Sequence, residues 1–67
     1  MITITVNGGQ VELPDGATAA EAVRTLTTLT SGVAVAVNDE VVPRGGWEGA
    51  ALSSGDRVEV LTAVQGG

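Results

Sequence analysis

The chain predicts an α+β fold, a mixed sheet of four to five strands with one helix laid across one face. Side chains alternate with period two in three separate stretches, "MITITVN", "VAVAV", where valine alternates with alanine, and "RVEVLTAV". One stretch between them repeats with a helical period behind a capping signature, and clusters of Asn, Gly, Pro and Asp punctuate the chain.

The first strand sets Ile2, Ile4 and Val6 against Thr3 and Thr5, and Asn7-Gly8-Gly9 supplies residues that tolerate positive φ. A hairpin follows, in which "QVELPDG" returns with Val11 and Leu13 on one face and Gln10 and Glu12 on the other. Pro14, Asp15 and Gly16 end it. In "TAAEAVRTLTTL" Thr18 precedes Glu21 by three residues, a capping box, and Ala19, Ala22, Val23, Leu26 and Leu29 form the apolar face of a helix. Its threonines lower helix propensity, so packing on the sheet must hold it.

After Ser31-Gly32, Val33, Val35 and Val37 face one way and Ala34 and Ala36 the other, with Asn38-Asp39 at the reversal into a short fourth strand. Pro43 has no N–H for a ladder and confines that strand to an edge. "RGGWEGAALSSGD" is expected to be irregular, ending in a turn at "SGD". In the last strand Val58 and Val60 share one face, and Glu59, Leu61 and Ala63 take the other. A helical crossover between the hairpin and the later strands makes one parallel pairing, with the first and last strands as the central pair.

Composition narrows the function. The chain has 67 residues, no cysteine and no histidine, so disulfides, thiolate metal sites and the commonest general base are excluded. At 6.6 kDa a single domain over residues 1–67 is expected, too small for a deep catalytic cleft, so no enzyme activity of its own is expected. A net charge of −5, with only Arg24, Arg44 and Arg57 as basic side chains, speaks against nucleic acid and suits either solubility or docking on a basic partner. No apolar run approaches the roughly 20 residues a membrane helix needs, and "MITITVNGG" lacks the basic start and apolar block of a signal peptide. The expected location is the cytoplasm, with no membrane partner.

The order ββαβ with a closing strand resembles the ubiquitin-like β-grasp fold. Three features make the likeness more specific: "VNDEVVPR" with Trp47 close behind, "GDRVEVLTAV", and the terminal Gly66-Gly67. Together they resemble the ThiS family, the small sulfur carriers of thiamin biosynthesis, over the whole chain. Asp39 stands where the family usually has a glycine, and Gln65 where a third glycine or alanine is common.

The resemblance implies a chemistry that resides in the tail, residues 65–67, expected to be flexible. The carboxylate of Gly67 would be adenylated by a ThiF/E1-like enzyme using ATP and magnesium, and a persulfide sulfur donor would then convert it to a thiocarboxylate. Thiazole synthase would receive the sulfur. No cofactor or metal is expected on the chain itself. Gly66 and Gly67 carry no Cβ to obstruct a narrow channel. Leu61, with Ala34, Ala36 and Ala63, is expected to form a small-residue patch on the sheet face opposite the helix, where ubiquitin-like proteins are commonly gripped, and Val64 and Gln65 join it on the way to the tail.

Alternatives stay open at this stage. One is a sulfur carrier for another pathway, such as molybdopterin synthesis; another is a ubiquitin-like modifier joined through Gly67 to target lysines; a third is a β-grasp binding module with no tail chemistry. Trp47 reads as a lid over the core, and Asp39 and Glu40 as a solvated hairpin tip rather than an acid–base pair.

Overall fold

The computed structural model of the protein describes residues 1–26 and 32–62. Five strands, β1 (Ile2–Val6), β2 (Gly9–Leu13), β3 (Val33–Val37), β4 (Glu40–Val42) and β5 (Arg57–Thr62), form one sheet in the order β2-β1-β5-β3-β4. The first and last strands pair in parallel, as the crossover requires, and the other pairings are antiparallel. Pro43 leaves β4 on an edge.

Alternation along each strand sorts residues between two faces. Ile4, Val6, Leu13, Val35, Val58 and Val60 are buried on the inner face with Ala19, Ala22 and Val23 of helix α1 (Ala19–Arg24). The backbone N–H of Thr18 donates to the Glu21 carboxylate at 3.4 Å, the returning half of the expected capping box.

Two expectations need correction. The helix is shorter than its apolar period suggests: it ends at Arg24, and Leu26 is 50% exposed rather than in the core. Thr25 Oγ1 donates to the Ala22 carbonyl at 2.6 Å, a local competitor that threonine offers at a helix end. Leu29, also assigned to the core face, lies outside the described residues. The second correction concerns the segment expected to be irregular, where Arg44–Gly49 form a 3₁₀ helix that carries Trp47 into the core. The Trp47 indole N–H donates to the Val42 carbonyl at 3.0 Å, and the Arg44 guanidinium lies 4.8 Å from the ring centroid. Beyond it the chain is tied to the start of the helix: Ala19 N–H donates to the Ala50 carbonyl and Leu52 N–H to the Ala17 carbonyl, both at 2.9 Å. Trp47 is therefore a lid, as its solitary aromatic character suggested.

Both two-residue hairpin loops place their central residues at positive φ, 52° and 84° for Asn7-Gly8 and 51° and 70° for Asn38-Asp39. Asp39 holds this conformation although it is not glycine, and its carboxylate pairs with Arg57. Asn7 does more than turn the chain. Its side-chain amide donates to the Val60 carbonyl at 3.0 Å and accepts from the Val60 N–H at 2.7 Å, continuing the β1–β5 ladder after the β1 backbone has turned away. Asn38 acts similarly on the opposite flank of β5, accepting from Arg57 N–H at 2.9 Å through its side chain and donating its own N–H to the Arg57 carbonyl at 2.7 Å.

Replacing Asn7 tests that clamp. Asn7→Ala leaves two partly buried groups of Val60 unpaired and forces a Cβ-bearing residue without local bonding into positive φ, so a loss of about 2–3 kcal/mol is expected. Asn7→Gly keeps the turn and loses only the amide bonds, so it should recover about 1 kcal/mol of that in urea denaturation. Equal, wild-type stability of both variants would show that the clamp contributes nothing.

Candidate functional site

The sheet face opposite the helix is built by the other half of each alternation. β5 places Arg57, Glu59 and Leu61 there, β3 places Ala34 and Ala36, and β4 places Val41. Register sets Leu61 against Ala34 and Ala36 between Glu59 and Val41. Leu61 is 71% exposed and Val41 73%, so two large apolar side chains stand on a floor of two small ones. Isolated exposed apolar residues are ordinary; adjacent ones on a flat sheet face are the arrangement a partner can cover.

Of the residues expected to make this patch, the structure brings together Leu61, Ala34 and Ala36. Ala63, Val64, Gln65, Gly66 and Gly67 lie outside the described residues. An open groove of about 430 Å³, lined by Gly32, Val33, Ala34, Leu61 and Thr62, lies at the end of β5 where the chain continues toward Ala63. The apolar patch and the start of the final segment therefore share one end of the sheet.

Val41 was not expected in the patch. Its signal was present, since in "EVVP" only one of two adjacent valines can face the core, and the register Val35↔Val42 gives that place to Val42. Glu59 was assigned to this face without a role. The guanidinium of Arg57, two residues earlier, is held above its ordinary pKa by its hydrogen bond to Asp39 and by that carboxylate's charge, so it stays protonated and engaged at the hairpin tip.

The described residues contain no group of three or more His, Cys, Asp or Glu that could hold a metal ion, and no helix among them is long and apolar enough to cross a membrane. What this surface can do chemically is bind. No nucleophile and base converge on it.

This topology, with one helix on the inner face and partner-accessible strands on the outer, defines a ubiquitin-like β-grasp protein. The chain belongs to the ThiS family, whose model matches residues 4–67. It is similar to the thiamine biosynthesis protein (ThiS) of Geobacter metallireducens in its crystal structure, at 28% identity and a TM-score of 0.76, with 98% of this chain and 100% of that one covered. The solution structure of a thiamine biosynthesis protein from the same organism gives 29% identity and a TM-score of 0.79 over 98% of this chain and 88% of that one. No curated protein matches the chain significantly.

Proposed function

We propose that this protein is a sulfur carrier of thiamin biosynthesis, acting in the cytoplasm as a co-substrate of partner enzymes rather than as an enzyme. The observation that carries the reading is family membership over residues 4–67, a span that includes the Gly66-Gly67 ending. The Gly67 carboxylate attacks the α-phosphorus of ATP on a ThiF/E1-like enzyme, with magnesium neutralising the phosphates and pyrophosphate leaving. The terminal sulfur of an enzyme persulfide then attacks the acyl carbon and displaces AMP. A second thiol cleaves the resulting acyl disulfide, which leaves a thiocarboxylate on Gly67 and a disulfide on the donor. Thiazole synthase consumes the sulfur.

Several properties of the chain suit that sequence of steps. An acyl-adenylate is destroyed by any amine or thiol within reach, and this chain has neither lysine nor cysteine. Its α-amino group, on Met1, is engaged by Asp15 at 2.9 Å. The apolar outer face around Leu61, Ala34, Ala36 and Val41 gives the partner a place to grip, and Ala63, Val64 and Gln65 follow Thr62 in the sequence before Gly66-Gly67.

Intact-mass spectrometry tests the reading. Incubated with its adenylating enzyme, ATP, magnesium and a persulfide donor, the protein should exchange one oxygen for one sulfur at Gly67 and return to the carboxylate on adding thiazole synthase together with the substrates that accept the sulfur. Adducts on target lysines in place of a sulfur-bearing species would identify a modifier, and return of the acid only with a different acceptor would identify another sulfur pathway.

A further inference from the structure

On the outer face, Ala34, Ala36, Val41, Glu59 and Leu61 surround a shallow depression of about 80 Å³. Its composition is unusual for a docking patch. The floor is alanine, Val41 and Leu61 stand on either side with most of their surface in water, and Glu59, beside Ala36 in the register, puts a carboxylate into the wall. Glu59 has no ion-pair partner among the described residues. Of the chain's own cations, Arg24 pairs with Glu48 at 3.6 Å and Arg44 lies over the Trp47 ring, while Arg57, on the same face two residues from Glu59, feels its charge but makes its ion pair with Asp39. Lysine is absent.

We propose that this depression is a socket for one arginine or lysine side chain of the enzyme that docks on this face. Such a side chain has an apolar stem and a charged head, and it buries the first while keeping the second paired. Its methylenes lie over Ala34 and Ala36 between Val41 and Leu61, and its head reaches Glu59. Covering the apolar walls removes water from the pair and strengthens it relative to an exposed ion pair. The net charge of −5 draws a basic surface toward the protein, and Glu59 fixes the register in which it lands. A carboxylate in the wall of the patch also rejects a wholly apolar or acidic partner surface, which would bury it unpaired.

The inference rests on the carrier reading for the partner's identity, and the test separates the two. Glu59→Gln and Glu59→Lys are surface changes that should leave the unfolding temperature unchanged. With the adenylating enzyme, assayed by ATP–pyrophosphate exchange, Glu59→Gln should raise KM for the carrier about tenfold and Glu59→Lys about a hundredfold at unchanged kcat, and Glu59→Gln should reduce the salt sensitivity of KM. A second arm needs no enzyme. Titration of the labelled protein with millimolar N-acetyl-arginine amide should shift the amides of Ala36, Val41, Glu59 and Leu61, and Glu59→Gln should abolish those shifts. Unchanged KM in both variants, or no localised shift with the arginine amide, overturns the socket. Failure of the wild-type protein to be adenylated overturns the carrier reading instead, and the titration then decides the socket alone.

Discussion

Trp47→Ala is expected to leave the domain largely unfolded at ambient temperature. Truncating a buried tryptophan typically costs about 3–5 kcal/mol, and a chain of this length has roughly 3–10 kcal/mol of stability in all. The indole here is 4% exposed, and it is the only aromatic ring in the chain. Its loss also removes the N–H donor to the Val42 carbonyl and the ring beneath Arg44. Because the 3₁₀ helix is pinned by this one side chain, its connection to the start of α1 through Ala50 should loosen as well. Trp47→Phe keeps most of the apolar volume and loses the hydrogen bond, so about 1–2 kcal/mol is expected. Far-UV circular dichroism in urea reads both variants; a cooperative Trp47→Ala transition close to the wild-type midpoint would show that the lid is dispensable.

How that lid forms is the part of the fold least legible in the sequence. Strands announce themselves because a period of two persists over five or six residues, and the reversals at Asn7-Gly8 and Asn38-Asp39 carry the chemistry that positive φ demands. Pro43 ends β4 and keeps it at the edge for a reason visible without any structure. The stretch from Arg44 to Gly49 has no such periodicity, and three of its six residues are glycine. It becomes helical because Trp47 finds a place in a core supplied by distant residues, with the Val42 carbonyl five positions back accepting its indole N–H. Tertiary context likewise shortens α1: the apolar period runs on through Leu26, but the core is already covered by Ala19, Ala22 and Val23.

The site divides in the same way. Leu61 was legible as the apolar residue on the wrong face of β5, and Ala34 and Ala36 as the small side of β3. Val41 joins them only once the register of a three-residue strand is known, since "EVVP" alone does not say which valine turns inward. Asn7 showed itself as a turn residue. That its amide also completes a ladder with Val60, 53 positions away, depends on the parallel pairing that brings β1 beside β5. These two asparagines hold β5 from both flanks, and β5 is the strand that carries Glu59 and Leu61 and leads to the tail.

Deleting Gly67 should abolish sulfur loading while leaving the unfolding temperature unchanged. The truncated chain still ends in a glycine carboxylate, Gly66, of the same intrinsic reactivity, so any loss reports position rather than chemistry. One residue of extended backbone spans about 3.3–3.6 Å. A misplacement of only about 1 Å in a reacting pair can cost a hundredfold, so a carboxylate held one residue short of the α-phosphorus should fall below detection in both pyrophosphate exchange and intact-mass assays. Gly66→Val is the complementary variant: it keeps the carboxylate at its proper reach and adds a β-branched side chain where the proposed channel admits only backbone, so loading should also fail. No side chain of the described core contacts depends on either change, and both proteins should melt with the wild type. Normal loading of the Gly67 deletion would place the activated group elsewhere and end the carrier reading; normal loading of Gly66→Val alone would keep the carboxylate chemistry and discard the narrow channel.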